Sequence, residues 1–235
     1  VEILVRDSNI VKSSTTNIVR TLATAYVNGP LALTLPASLL TGSTYTFPIG
    51  KGTLNPFALV NPTTGAGGTV TVQAEVFDAN SGGTGTGAIA SINTSRYWAA
   101  SITAGDTNFT NSLIQLNDTV GTYDAIAQST TVNGAYSLTG GVGVTSTPTS
   151  LTSQAPASTT LAGYYAMGTK AAASLANLTI APAGNQCTNV ARTISVDVTP
   201  GGAATNTVVL NYSLNGVAQT AIQMTNTTNT LATDT

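Results

Sequence analysis

Apolar and polar residues alternate along this chain in short bursts. The clearest is GGTVTVQAEVFD (67–78), where Val70, Val72, Ala74 and Val76 recur with period two and predict a strand with one core face and one wet face. Glu75 should face away from that set only if the alternation holds, and in the sequence it does not hold cleanly. Ile194, Val196 and Val198 alternate in the same way, as do Val208, Leu210 and Tyr212. Further strands are expected at Val1–Val5, Asn9–Val11, Asn17–Leu22, Leu31–Leu35, Thr44–Ile49, Asn55–Val60, Leu113–Leu116, Tyr123–Gln128, Ala135–Leu138 and 163–168, with Ser, Asn, Gly and Pro between them. NIVKSS and NIVRTL are near-copies about eight residues apart, a spacing of rungs or hairpins rather than of a helix.

The stretch GGVGVTSTPTSLTSQAPAS (140–158) reads as a long loop, and only KAAASLANL (170–178) could wind into a turn or two of helix. LNG at 214–216 predicts a tight hairpin with Gly216 at positive φ. The expected fold is all-β: a β-sandwich domain followed by a short or incomplete immunoglobulin-like β domain. The boundaries are 1–25 for N-terminal strands or the end of a repeat region, 26–169 for the sandwich, and 170–235 for the second domain.

Composition narrows the chemistry. Charged residues make up 7% of the chain, against about a quarter in ordinary soluble domains, so neutral Thr, Ser and Asn must cover the surface. Seven basic and nine acidic residues give a formal net charge of -2, which supplies no electropositive stripe for nucleic acid. No basic amphipathic segment or membrane-length apolar run suggests a lipid partner or a transmembrane segment. The absence of histidine removes imidazole acid–base catalysis, a Ser/His/Asp triad and His-ligated zinc. Cys187, the single cysteine, has no intrachain partner for a disulfide or a thiolate pair and reads as a small core residue.

Four local features carry candidate chemistry. GKG at 50–52 invites a phosphate-loop reading, but it lacks the spacer and the hydroxyl of GxxxxGK[ST], and no predicted helix follows. It reads instead as a turn with Phe47 and Ile49 buried and Lys51 outside. Arg96, Tyr97 and Trp98 could form a sugar-binding platform. Alternation puts Arg96 and Trp98 on one face, so either the Arg stem is buried or the Trp is exposed; core packing with a snorkelling Arg is the competing account. DANSGG (78–83) offers the oxygens of Asp78 and Asn80 to calcium, the one cofactor suggested, with plain surface solvation as the alternative. Glu75, Asp78, Asp106, Asp118 and Asp124 show no spacing that sets two carboxylates across a cleft, so hydrolysis is not expected. Sequons occur at Asn93, Asn108, Asn117, Asn177, Asn211 and Asn226.

Five stretches, YVNGPLALTL (26–35), TYTFPIGKGTLNPFAL (44–59), SRYWAASI (95–102), AQSTTVNGAYSLTGG (127–141) and GYYAMG (163–168), together resemble a module of the large surface proteins that Bacteroidota export by type IX secretion, among them adhesins and gliding-motility filaments. The tail NQCTNVARTISVDVTP resembles the first strands of an immunoglobulin-like module in the same proteins, with Cys187 and Arg192 at matching positions. The resemblance implies an extracellular or outer-surface location, a non-enzymatic structural role, and partners that are copies of the chain, other segments of a long surface protein, secretion machinery or surface glycans. It also makes Thr119, in Asp118-Thr119-Val120, a candidate for O-glycosylation. Both ends are strand-like, so Ile3 and Val5 at one end and Val208, Leu210 and Tyr212 at the other are candidate assembly strands that would extend a neighbouring sheet. The expectation is a segment of a longer polypeptide that serves as a structural subunit of a filament or adhesin stalk, with a glycan- or surface-binding adhesin module as the alternative.

Overall fold

The computed structural model describes residues 2–3, 10–13, 25–40, 42–140, 144–154, 161–181, 183, 193–199, 207–214 and 216–224. The chain divides into two units, Val1–Ala171 and Ala172–Thr235. The described residues of both form mainly strands, as the period-two pattern predicts.

The first unit has a sandwich-like packing of two sheets, one mixed and one antiparallel. In one, the strands lie in the order Thr84–Gly85, Ala135–Leu138, Ala125–Ser129, Ala162–Lys170, Tyr97–Ala104, Val70–Phe77, Leu31–Leu35 and Ile10–Ser13, with Ile89–Ile92 also paired to Ala162–Lys170. Pairing is antiparallel except at the two ends, where Thr84–Gly85 and Ile10–Ser13 run parallel to their neighbours. The other sheet has the order Val144–Thr147, Ser150–Ser153, Phe109–Asn117, Phe57–Thr64 and Thr44–Phe47.

Alternation determines which side chains enter the space between the sheets. Along Val70–Phe77 burial switches at every residue, so Val70, Val72, Ala74 and Val76 face the core while Thr71, Gln73, Glu75 and Phe77 face outward. Trp98, Tyr165, Met167 and Ile126 join them from the same sheet, against Tyr45, Phe47, Phe57, Leu59, Ile114 and Leu116 of the other. Phe57 meets Tyr165 across the gap with ring centroids 5.6 Å apart. Fully burying each such side chain contributes roughly 1.5–3 kcal/mol, which offsets the backbone entropy of ordering the strands. A second cluster, containing Ile89, Ile92, Ala125, Ala127, Tyr136 and Ala166, uses the opposite side of the first sheet.

Two expectations are corrected here. Within 140–158, Val144–Thr147 and Ser150–Ser153 form an antiparallel hairpin at a sheet edge rather than a loop. Thr and Ser serve strands and turns alike, and the strand state wins because Ser153 Oγ accepts the Ile114 amide at 3.0 Å and Leu151 fills the core. Ser174–Ala181, drawn largely from KAAASLANL, is a strand of the second unit and not a helical turn. Its cross-strand pairing with Thr193–Thr199 overrides the local helix preference of alanine.

The described residues of the second unit form paired strands. Besides that hairpin, Val209–Leu210 pairs with Ile222–Gln223, and Ser213–Leu214 pairs with Val217–Ala218 around Gly216 at φ +80°. Cys187 and Arg192, which carry the immunoglobulin-like resemblance, lie outside the described residues, as do Val5 and the expected strand at Asn17–Leu22.

Candidate functional site

The TFPIGKG stretch leaves the second sheet after Phe47. Ile49 then forms an isolated parallel bridge with Val27, and Gly50–Lys51 turns back on Thr53–Leu54 through Gly52 at φ +71°. Gly50 permits a close approach: a Cβ there would collide with the Thr53 carbonyl oxygen and sit 2.7 Å from the Tyr26 ring. Phe47 and Ile49 are fully buried. Lys51 Nζ reaches Glu75 Oε1 at 3.4 Å and lies 5.9 Å from the centroid of the Phe77 ring. GKG is therefore the tip of a small hairpin, and its lysine is directed to a carboxylate.

Arg96 is positioned by a turn. The Asn93 side chain, itself buried, accepts from the amides of Ser95 at 2.7 Å and Arg96 at 3.2 Å and starts the next strand at Tyr97. Trp98 points inward and is 0% exposed, with Nε1 donating to the Asn55 carbonyl at 3.0 Å. No face of the indole is open to a sugar, so the Trp98 platform is corrected to a core contact. The conflict between Arg96 and Trp98 is resolved by burying the arginine stem: the side chain is only 15% exposed.

Its guanidinium joins the two sheets. Nε donates to Asp78 Oδ1 at 2.7 Å, at the end of Val70–Phe77, and Nη1 donates to Asp118 Oδ2 at 2.7 Å, just beyond Phe109–Asn117. With the Asn55 amide turned so that its nitrogen donates to Thr53, its oxygen also accepts from Nη1 at 2.8 Å. Burial disfavours the charge, but the hydrogen bond that Arg96 donates to Asp78 and the charge of Asp118 outweigh it and hold Arg96 above its ordinary pKa.

Tyr97 points outward, away from Arg96 and Trp98. Its ring stacks on Phe77 at 4.8 Å with an interplanar angle of 11°, and Tyr164 meets it edge-on at 6.0 Å. Burial, then Tyr164 and Glu75, push the Tyr97 phenol upward. Beside these rings is a shallow depression of about 280 Å³ whose lining includes Gln73, Glu75, Ala99, Ser101 and Tyr164. The sequence reading missed Tyr164. Alternation within GYYAMG could have shown it, because Tyr165 is fully buried and its neighbour must then face the other way.

The calcium candidates do not converge. Asp78 is taken by Arg96, while Asn80 Oδ1 accepts the Gly82 amide at 2.8 Å and so braces its own loop. Among the described residues no group of three or more His, Cys, Asp or Glu side chains is gathered. Asp106 accepts the Thr107 amide at 2.9 Å, and Asp124 accepts the Lys170 amide at 2.8 Å. Thr119 is exposed, and its amide donates to Asp118 Oδ1 at 2.7 Å.

Of the candidate assembly residues, Ile3 lies in Glu2–Ile3, which pairs in parallel with Tyr26–Val27. Leu210 lies in a two-residue strand, whereas Val208 and Tyr212 fall outside it, so the expected continuous strand 208–212 is shortened. Tyr212 is 42% exposed and its carbonyl accepts the Gln219 amide at 3.0 Å. No helix among the described residues is long and apolar enough to cross a membrane. Comparison with protein-family models, curated proteins and solved structures found no significant match.

Proposed function

We propose that the chain is a non-enzymatic structural segment of an extracellular filament or adhesin stalk of the exported Bacteroidota type, assembling through the surfaces of its sheets with other copies or other segments of a longer surface protein. The observation that carries this reading is the set of exposed apolar side chains on the strands of the second unit: Leu175, Leu178 and Val217 are each more than 60% exposed. Apolar side chains set on paired strands in that way favour packing against another surface. The first unit supplies what a stalk needs mechanically, a close-packed core clasped between sheets by Arg96 and an exterior of neutral hydroxyl and amide groups. The immunoglobulin-like character of the second unit, secretion through the type IX route and modification at Thr119 belong to the same proposal.

Sedimentation of the purified chain over a concentration series, with negative-stain microscopy of the same material, tests it. Concentration-dependent assemblies or regular fibres are expected, and substitution of Leu175, Leu178 and Val217 by Ser should dissolve them. A monodisperse monomer at every concentration would overturn the assembly reading. The glycan-binding alternative loses Trp98, which is buried, and needs a different surface.

A further inference from the structure

We propose that the outer face of the first sheet carries a binding site for a neutral pyranose sugar, seated on Ala99 between the ring of Tyr164 and the side chains of Glu75, Gln73 and Ser101. Strand register creates the site. Ala99 is paired with Glu75 on one side and with Tyr164 on the other, so the three residues form one row across three strands. Neighbouring strands lie about 4.8 Å apart, which sets the Cα atoms of Glu75 and Tyr164 roughly 10 Å apart with only a methyl group between them. In an adjacent row Ser101 is paired with Gln73. The result is the depression of about 280 Å³, just below the range of roughly 300–1,000 Å³ for drug-sized ligand sites and of a size for a single sugar ring.

The walls are held in place. Lys51 reaches Glu75 from the hairpin tip at 3.4 Å, and the stacked Phe77 and Tyr97 rings support Tyr164 edge-on. A carboxylate has more acceptor sites than one ammonium fills, so Glu75 can still accept from a hydroxyl. Gln73 and Ser101 both donate and accept, and the Tyr164 ring offers an apolar plane. This combination suits a molecule with one face of C–H groups and a rim of hydroxyls.

A peptide fits less well. The central strand Tyr97–Ala104 is paired on both edges, to Val70–Phe77 and to Ala162–Lys170, so an extended chain finds no free edge there for main-chain bonding. The site does not depend on how the second unit assembles.

Amide-resolved NMR titration of the whole chain with cellotetraose, chitotetraose and maltotetraose, each in turn, tests the proposal. At least one should shift the amides of Gln73–Glu75, Ala99–Ser101 and Gly163–Tyr164. Tyr164→Ala and Glu75→Gln should each weaken that binding about tenfold, a loss of about 1.4 kcal/mol. Unchanged Trp98 fluorescence would show that the variants remain folded. Silence with all three sugars, shifts confined to other surfaces, or affinity unaltered in folded Tyr164→Ala would overturn the site. Shifts of the same amides on adding an apolar peptide, with none on adding the sugars, would also overturn it, in favour of a protein ligand.

Discussion

Replacing Arg96 by methionine keeps much of the buried stem and removes the charge that joins the two sheets. Asp118 is only 16% exposed and would lose its cation, whereas Asp78, at 39%, can recover solvent. Exposed ion pairs contribute about 0–1 kcal/mol, while breaking a buried one costs about 3–5 kcal/mol. The partly buried clasp falls between these limits, so Arg96→Met should cost about 2 kcal/mol. In a unit of this size, at about 2–4 °C per kcal/mol, the melting temperature would fall by roughly 4–8 °C. Burial also sets an order among the partners: Asp118→Asn should cost more than Asp78→Asn, which should stay within about 1 kcal/mol. Urea unfolding can be followed through Trp98, the only tryptophan and fully buried, with an unchanged denaturant slope confirming a simple change in stability. Arg96→Met within about 0.5 kcal/mol of the parent, or Asp78→Asn costing more than Asp118→Asn, would refute the clasp.

Two further outcomes follow from the same packing. Phe47→Ala should cost about 3–5 kcal/mol, because the ring is 0% exposed and packs edge-on against Phe57 at 5.9 Å. Lys51→Ala removes a partly exposed ion pair and should cost less than about 1 kcal/mol; equal effects in urea unfolding would contradict the hairpin assignment. Burial raises the pKa values of Tyr45, Tyr136 and Tyr165 in the folded chain. Their stabilising contribution is complete below the unfolded tyrosine pKa of about 10 and is lost as pH rises toward the folded values, because the unfolded chain ionises first. Without histidine, stability measured by urea unfolding should be nearly flat around neutrality and fall above about pH 10, with the tyrosinate absorbance of these three residues appearing only as Trp98 fluorescence reports unfolding. Ionisation of all eight tyrosines near pH 10 with the fold intact would refute this.

What could be read locally was what alternation reports. Val70, Val72, Ala74 and Val76 announced their strand and its buried face, and the same rule settled the Arg96 and Trp98 face, though not which of the two would yield. It failed in Thr/Ser-rich and Ala-rich stretches. Residues 144–153 resemble a loop, and 174–181 resemble the start of a helix, until cross-strand partners supply the hydrogen bonds that decide the strand state.

The candidate site was less legible because it is a product of register. Nothing in Glu75, Ala99 or Tyr164 alone marks a binding surface; pairing puts them in one row. The joining of Arg96 to Asp78 and Asp118 likewise brings together residues 18 and 22 positions away in the chain. By itself the sequence determined a β-rich chain with a neutral polar surface and no imidazole chemistry, since composition and period-two burial are local properties. Only the tertiary structure decided that Trp98 is unavailable to a ligand, that Lys51 answers Glu75, and that Tyr164 borders a depression, because each depends on which strands become neighbours.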